Sequence, residues 1–462
     1  MYRTVFTLAR VGLLGIAFLM QASAQDRYLV RAPSSQIGNV AARNHLTLIR
    51  SLEGSAGNLH LVAAPAGADV QRTIQGLRAD VSVQGVETDA SVRLPETSPG
   101  ASLRQMGLPD PAPLSDRTLV KYYGTSAWDA YVNQAAAYVI KLAQAHLFAT
   151  GTGAVVAILD TGVDPGHLVI ASSLVSGYDF TRNIAGGSEM ADINQSTTSI
   201  LDQSTTSILD QSTTSILDQK GALVLNQSTT SILDQSTTSI LDRNRSLLPS
   251  AFGHGTMVAG LIHLVAPTAK LMPVKVFSGN GTSTLSNVVN GIYWAVDHGA
   301  DVISMSFSST QSSTELKTAI DYANSKGVIC VASAGNDGAQ NPSVFPAGYQ
   351  SQVIAVASTN NQNVKSTFSN YGNTLVDVAA PGEGDVTLYP GNNYAEGWGT
   401  SFSAPLVAGG AALLVQLGGN RFNVAQANQA ISQAIPTGQG LGAGELDLFQ
   451  ASLYEILHGG WR

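Results

Sequence analysis

The stretch Ala154-Val155-Val156-Ala157-Ile158-Leu159-Asp160-Thr161-Gly162 is an unbroken apolar run that stops on a carboxylate, a hydroxyl and a glycine. Apolar side chains at both odd and even positions describe a strand covered on both faces, and the terminal glycine permits a sharp turn. Comparable runs recur at Leu271–Val276, Val302–Met305, Val328–Ala332 and Val353–Ala357, separated by stretches rich in small residues. Strands interleaved with helices predict an α/β fold, a mostly parallel sheet with helices on both faces. Reactive side chains in such folds gather where strands end and helices begin. Asp160 occupies such a place.

Two further motifs lie downstream. Gly253-His254-Gly255-Thr256 opens an apolar helical stretch with an imidazole, and Gly399-Thr400-Ser401-Phe402-Ser403-Ala404-Pro405 opens another with a hydroxyl. Taken singly each has a plain reading: a strand-end Asp caps a turn, a helix-start Ser caps its helix, and a lone His is structural. Together they supply a nucleophile, a base and an orienting acid. Serine is a weak nucleophile at neutral pH, so an imidazole must take its proton, and a buried carboxylate must hold that imidazole in one tautomer. This reading gives the nucleophile to Ser401, the base to His254 and the orienter to Asp160. Ser403 stands as a competing nucleophile on the residues alone.

The gross numbers agree with a compact globular protein. The chain has 462 residues, 44% apolar and 12% charged, which fits a folded protein with a large core. A net charge of −8 and a pI near 5.4 give no electrostatic footprint for nucleic acid. The single cysteine, Cys330, lies in an apolar strand run and reads as a buried small hydrophobe; zinc binding through paired thiolates is excluded. Residues 1–24 read as an export signal: Arg3 and Arg10, an apolar core from Val11 to Met20, and Ala22-Ser23-Ala24 for cleavage. No second apolar run reads as membrane-spanning, so a soluble protein outside the cytoplasm, secreted or periplasmic, is expected.

Residues 25–95 alternate strand and helix patterns and predict a small α+β module. Arg27–Val30 and Leu59–Val62 read as strands, Val40–Leu52 and Val70–Leu77 as helices, and Val81–Gln84 and Ala90–Leu94 as strands again. A proline-bearing linker is expected over 96–120, and the main domain over 121–462. That domain is interrupted at 195–242 by six octads of the type Gln-Ser-Thr-Thr-Ser-Ile-Leu-Asp, the fourth degenerate. An even period presents the same side chains to one face of a strand in every octad. A β-rich flap and a polar insertion without fixed structure both remain open readings.

The order Asp, His, Ser and the strings Asp-Thr-Gly, His-Gly-Thr and Gly-Thr-Ser-x-x-Ala-Pro resemble the subtilisin-like (subtilase) serine proteases over roughly Gly151 to Ala451. The resemblance implies a serine endopeptidase acting through an acyl-enzyme, with Ser401, directly after Gly-Thr, as nucleophile. It further implies an oxyanion hole from the Asn336 side chain in Ala334-Gly335-Asn336 and the backbone amide of Ser401. Substrate would bind as an added strand between Gly281-Thr282-Ser283 and Ser306-Phe307-Ser308. Ser308 stands where the family usually has glycine, and Val344 where a small residue often lines the S1 pocket, which implies a shallow pocket for small or medium apolar P1 side chains. Phe345-Pro346 matches a position that often holds a cis proline.

The 25–95 module resembles the propeptides of these proteases, which makes it both folding aid and inhibitor, released by cleavage between about Leu94 and Lys121. No cofactor is required by this reading. The chain between Gly260 and Ala266-Pro267 is too short for the loop that holds the family's tight calcium site, and calcium elsewhere lacks support in the residues, so no metal ligand is assigned. Protein or peptide substrates and the chain's own propeptide are the expected partners, with no membrane association once the signal is removed. The chief rival is an inactive relative that keeps the peptide-binding cleft. A lipase or esterase would show Gly-x-Ser-x-Gly, a frame that Ser401 does not occupy.

Overall fold

The run that ends on Asp160 forms the strand Val155–Asp160, fourth in an eight-stranded sheet. Across that sheet the order is Ile184–Ala185, Tyr178–Asp179, Lys270–Lys275, Val155–Asp160, Val302–Met305, Ile329–Ser333, Ile354–Thr359 and Val378–Pro381. All neighbouring pairs run parallel except the first, which is antiparallel. This computed structural model describes residues 26–52, 57–95, 114, 116–193, 248–419 and 422–459, with three two-residue strands between 216 and 231.

Period two along the central strand sets the two layers. Val156 and Ile158 pack into one apolar cluster with the helices His254–Val265 and Thr400–Gly418; Ala157 and Leu159 pack into the other with Leu285–Asp297 and Thr314–Ser325. Each expected strand is found within a residue or two of its expected position. Cys330 is buried in Ile329–Ser333, and burial pushes its thiol up to about 12. One expectation needs correcting. Thr400–Gly418 is long and apolar enough to cross a membrane by length and composition. Its residues from Thr400 to Leu414 are buried within the fold, the situation of a core helix.

The N-terminal module is a four-stranded antiparallel sheet in the order Thr47–Ser51, Leu59–Ala63, Arg27–Arg31, Gly85–Thr88, with helices Ile37–Arg43 and Val70–Ala79. Tyr28 and Val30 face its own small core with Val40 and Leu77, while Leu29 and Leu61 join the main domain's cluster. The module is thus clamped to the larger domain by the alternate face of its sheet. Two readings change. The helical spacing of 40–52 covers a helix that ends at Arg43 and then the edge strand Thr47–Ser51. Val81–Gln84 is a turn, and the strand begins at Gly85.

The expected signal, residues 1–24, and most of the expected 96–120 linker lie outside the described residues. So does most of the octad segment. Within it, Ile216–Leu217 pairs antiparallel with Leu223–Val224, and Thr230–Ser231 pairs antiparallel with the strand Asn393–Trp398.

Candidate active site

Asp160 closes its strand fully buried, and its Oδ1 accepts from Thr161 N at 2.7 Å and from His254 Nδ1 at 2.8 Å. His254 is the first residue of its helix, after Gly253 at φ +94°. That backbone region favours glycine, and a Cβ there would lie 2.2 Å from the Tyr389 ring. An Nδ1–H held by a buried carboxylate leaves Nε2 as the nitrogen able to take a proton.

Ser401 is the second residue of Thr400–Gly418. The Phe402 ring beside it lies 5.6 Å from the His254 ring, which brings the two helix starts together. Ser401 Oγ donates to Ser306 O at 3.3 Å, and Ser306 Oγ donates back to Ser401 O at 3.0 Å. Ser403 is also buried, but a Cβ at Gly382 would lie 2.2 Å from its Oγ, which places that hydroxyl against the Gly382 backbone. Asn336 follows the strand Ile329–Ser333, and its Oδ1 accepts from Thr400 N at 2.9 Å and Thr400 Oγ1 at 2.8 Å. Those two bonds fix the amide, committing its oxygen to Thr400 and turning its donor end away.

The expected cleft segments do come together, and the space between them is filled by the chain itself. Ser91–Arg93 pairs antiparallel with Thr282–Thr284, matching Arg93 to Thr282, Val92 to Ser283 and Ser91 to Thr284. Leu94 N donates to Gly281 O at 3.0 Å, and Ser308 N lies 3.5 Å from Arg93 O in a bridge on the other side. The Phe307 side chain is fully buried against Phe277, which leaves its backbone to face the cleft. Val344 is buried in the segment whose next residue, Phe345, bridges to Ser309; the Phe345–Pro346 bond is cis as expected.

Several residues at this site escaped the sequence reading. Glu189, fully buried, accepts from Gly253 N at 2.8 Å, Thr256 N at 3.2 Å, Thr161 Oγ1 at 3.2 Å and Thr256 Oγ1. Lys275, also fully buried, donates to Thr161 O, Phe277 O and Asp192 Oδ2. Glu189 opens the short 3-10 helix Glu189–Asp192, in a stretch that carries no recognisable motif.

With this geometry in hand, comparison with known proteins is informative. Residues 151–447 match the Subtilase family (Peptidase_S8). The chain belongs to that family and is a serine endopeptidase of the subtilisin-like class, acting on protein or peptide substrates. It is 33% identical to thermitase of Thermoactinomyces vulgaris over 326 residues, covering 68% of this chain and 94% of that protein. It is 31% identical to a thermophilic serine proteinase of Bacillus sp. (strain AK1) over 304 residues, 66% of this chain and 62% of that one. Fervidolysin from Fervidobacterium pennivorans, described as a keratinolytic enzyme related to subtilisin, superposes with a TM-score of 0.65 at 22% identity, over 93% of this chain and 61% of that one. This last likeness concerns the fold.

Proposed function

We propose that the chain is the autoinhibited precursor of an exported serine endopeptidase that works through Asp160, His254 and Ser401. The observation that carries this reading is the 2.8 Å bond from His254 Nδ1 to the buried Asp160 Oδ1, beside the helix start that presents Ser401. In the first step Ser401 Oγ attacks the scissile carbonyl carbon and its proton passes to His254 Nε2. The carbonyl oxygen becomes an oxyanion, which the Asn336 amide and the Ser401 N–H stabilise; one such donor contributes about 3 kcal/mol. His254 then gives its proton to the leaving amine as the C–N bond breaks, and water repeats the sequence on the acyl-enzyme. No step calls for a cofactor or a metal.

The module over 25–95 acts as inhibitor in this proposal, because its last strand occupies the position a substrate strand would take. Two of its carboxylates also sit on helix starts of the main domain. Glu87 accepts from Thr314 N and Ser313 Oγ, each at 2.6 Å, and Asp89 accepts from Ser286 N at 2.8 Å. Arg31 pairs with the nearly buried Glu315. Backbone pairing at 281–283 and 306–308 asks little of substrate sequence. Val344 would make S1 shallow and favour small or medium apolar P1 residues; preference for Lys or Arg on a peptide library would reject that. Cleavage between about Leu94 and Lys121 would release the active form, in the periplasm or outside the cell.

Labelling of the matured protein with a fluorophosphonate, read by peptide mass spectrometry, tests the whole assignment. An adduct on Ser401 that is lost in His254→Ala is expected. An adduct on Ser403 would move the nucleophile. No adduct in folded protein freed of its module would favour the peptide-binding, inactive relative.

A further inference from the structure

Three backbone segments meet behind the proposed triad with no slack between them. Gly162 has φ +101°, and a Cβ there would lie 2.6 Å from Gly187 O and 2.7 Å from Glu189 N; a Cβ on Gly255 would lie 1.9 Å from Gly162 O. The turn after Asp160, the stretch around Glu189 and the start of the His254 helix are therefore in direct backbone contact. That helix has a glycine at its N-cap, which offers no side chain for the exposed N–H groups of the first turn. Glu189 supplies the missing acceptors from another part of the chain, taking Gly253 N and Thr256 N. Gly255 N goes instead to Thr161 Oγ1, at 2.9 Å.

The directions of the hydroxyl protons follow from these bonds. Thr161 Oγ1 accepts from Gly255 N, so its own proton goes to Glu189 Oε2; Thr256 Oγ1 accepts from Asp164 N at 2.8 Å, so its proton goes to Glu189 Oε1. Each carboxylate oxygen thus receives one N–H and one O–H. Burial pushes the Glu189 carboxyl up to about 8, while the bonds from Thr256 and Gly253 and the charge of Lys275 oppose that. With both threonine hydroxyls already accepting from backbone N–H groups, four donors converge on the carboxylate and offset part of the cost of burying its charge. Lys275 also grips Thr161 O, the residue after Asp160. One network therefore holds the strand end that carries Asp160 and the helix start that carries His254.

We infer that Glu189 is a positioning residue for catalysis, locking the Asp160 and His254 segments in register through the Thr161 hydroxyl. The inference rests on the triad reading above. A glutamine at this position has the same shape, but its NH2 end would face one N–H and one O–H donor whichever way it turns. The relaxation needed to part them falls on His254, and a displacement of the order of 1 Å in a catalytic group costs about a hundredfold in rate.

The test uses full-length protein after maturation, with an apolar peptide p-nitroanilide as substrate. Glu189→Gln is expected to lower kcat about 100-fold and to leave KM within about twofold. Thr161→Val should lower kcat about tenfold, Thr161→Ser should restore it, and Glu189→Gln with Thr161→Val should be within about twofold of Glu189→Gln alone, because both remove one bridge. A kcat for Glu189→Gln within about threefold of the parent, even with a lowered Tm, overturns the inference and leaves Glu189 a structural brace. If Glu189→Gln does not mature, the Thr161 pair decides, and equal kcat for Thr161→Val and Thr161→Ser overturns it. A parent protein that neither cleaves the substrate nor labels at Ser401 instead overturns the triad reading, and this inference falls with it.

Discussion

His254 and His263 stand at opposite ends of one helix, both nearly buried, and their surroundings make them different chemical objects. His254 faces Asp160 across 2.8 Å at the helix start. His263, in the last turn, has no hydrogen-bond partner for either ring nitrogen among the described residues; the Tyr122 ring lies edge-on to it at 6.0 Å, and His167 is an electrostatic neighbour. Burial, with a smaller contribution from His167, pushes His263 down to about 4. The helix C-terminus would favour a cation there, but the cost of burying an unpaired charge outweighs it. An imidazole does acid–base work only where a partner has been arranged for its charged form.

The widest separation between the two should come from Asp160→Asn, which keeps the shape of the pair but reverses the proton at Nδ1. A loss of about 10⁴-fold in kcat is expected, measured on matured protein with a peptide substrate. A loss below about tenfold would mean that the Asp160 contact is not what separates the two histidines.

His263→Leu tests the other end. The native imidazole stays neutral down to about pH 4 while the unfolded chain takes up its proton near 6.5, so its contribution to stability is full above about 6.5 and is lost as pH falls toward 4. Urea unfolding of the mature protein should find the variant close to the parent at pH 8. At pH 4 it should be about 3 kcal/mol more stable relative to the parent than at pH 8. A difference that does not change with pH would show that His263 finds a partner after all.

The smallest effect concerns a capping group that must let go. Glu87 bonds the start of the Thr314–Ser325 helix from the module side, so Glu87→Gln should weaken the clamp by about 1 kcal/mol. The onset of activity after cleavage should then be about fivefold faster, followed as product release over time. An unchanged lag would place the hold on the module in its strand pairing and apolar face instead.

Much of this was legible because the signals were local. The unbroken apolar run that ends on Asp160, the glycines flanking His254 and the Gly-Thr-Ser start of the Ser401 helix each carry their meaning within a few residues. Thr47–Ser51 was misread because Leu46, Ile49 and Leu52 also fit helical spacing, and only pairing with Leu59–Ala63 makes the segment a strand. Glu189 and Lys275 carry no local pattern. Apart from the Lys275 bond to Phe277 O, their partners named here lie 28 to 114 residues away, and a buried carboxylate and a buried lysine gain their meaning from such distant partners.

The sequence by itself determined the alternation that makes a parallel sheet and the three motifs that set Asp160, His254 and Ser401 at strand end and helix starts. Periodicity and turn chemistry are properties of neighbouring residues, and they survive without the rest of the chain. Tertiary structure alone decided which histidine has a carboxylate, which carboxylate has donors and which strand lies in the cleft. Those outcomes depend on desolvation and on hydrogen bonds between distant segments, and both come into being only when the chain has closed on itself.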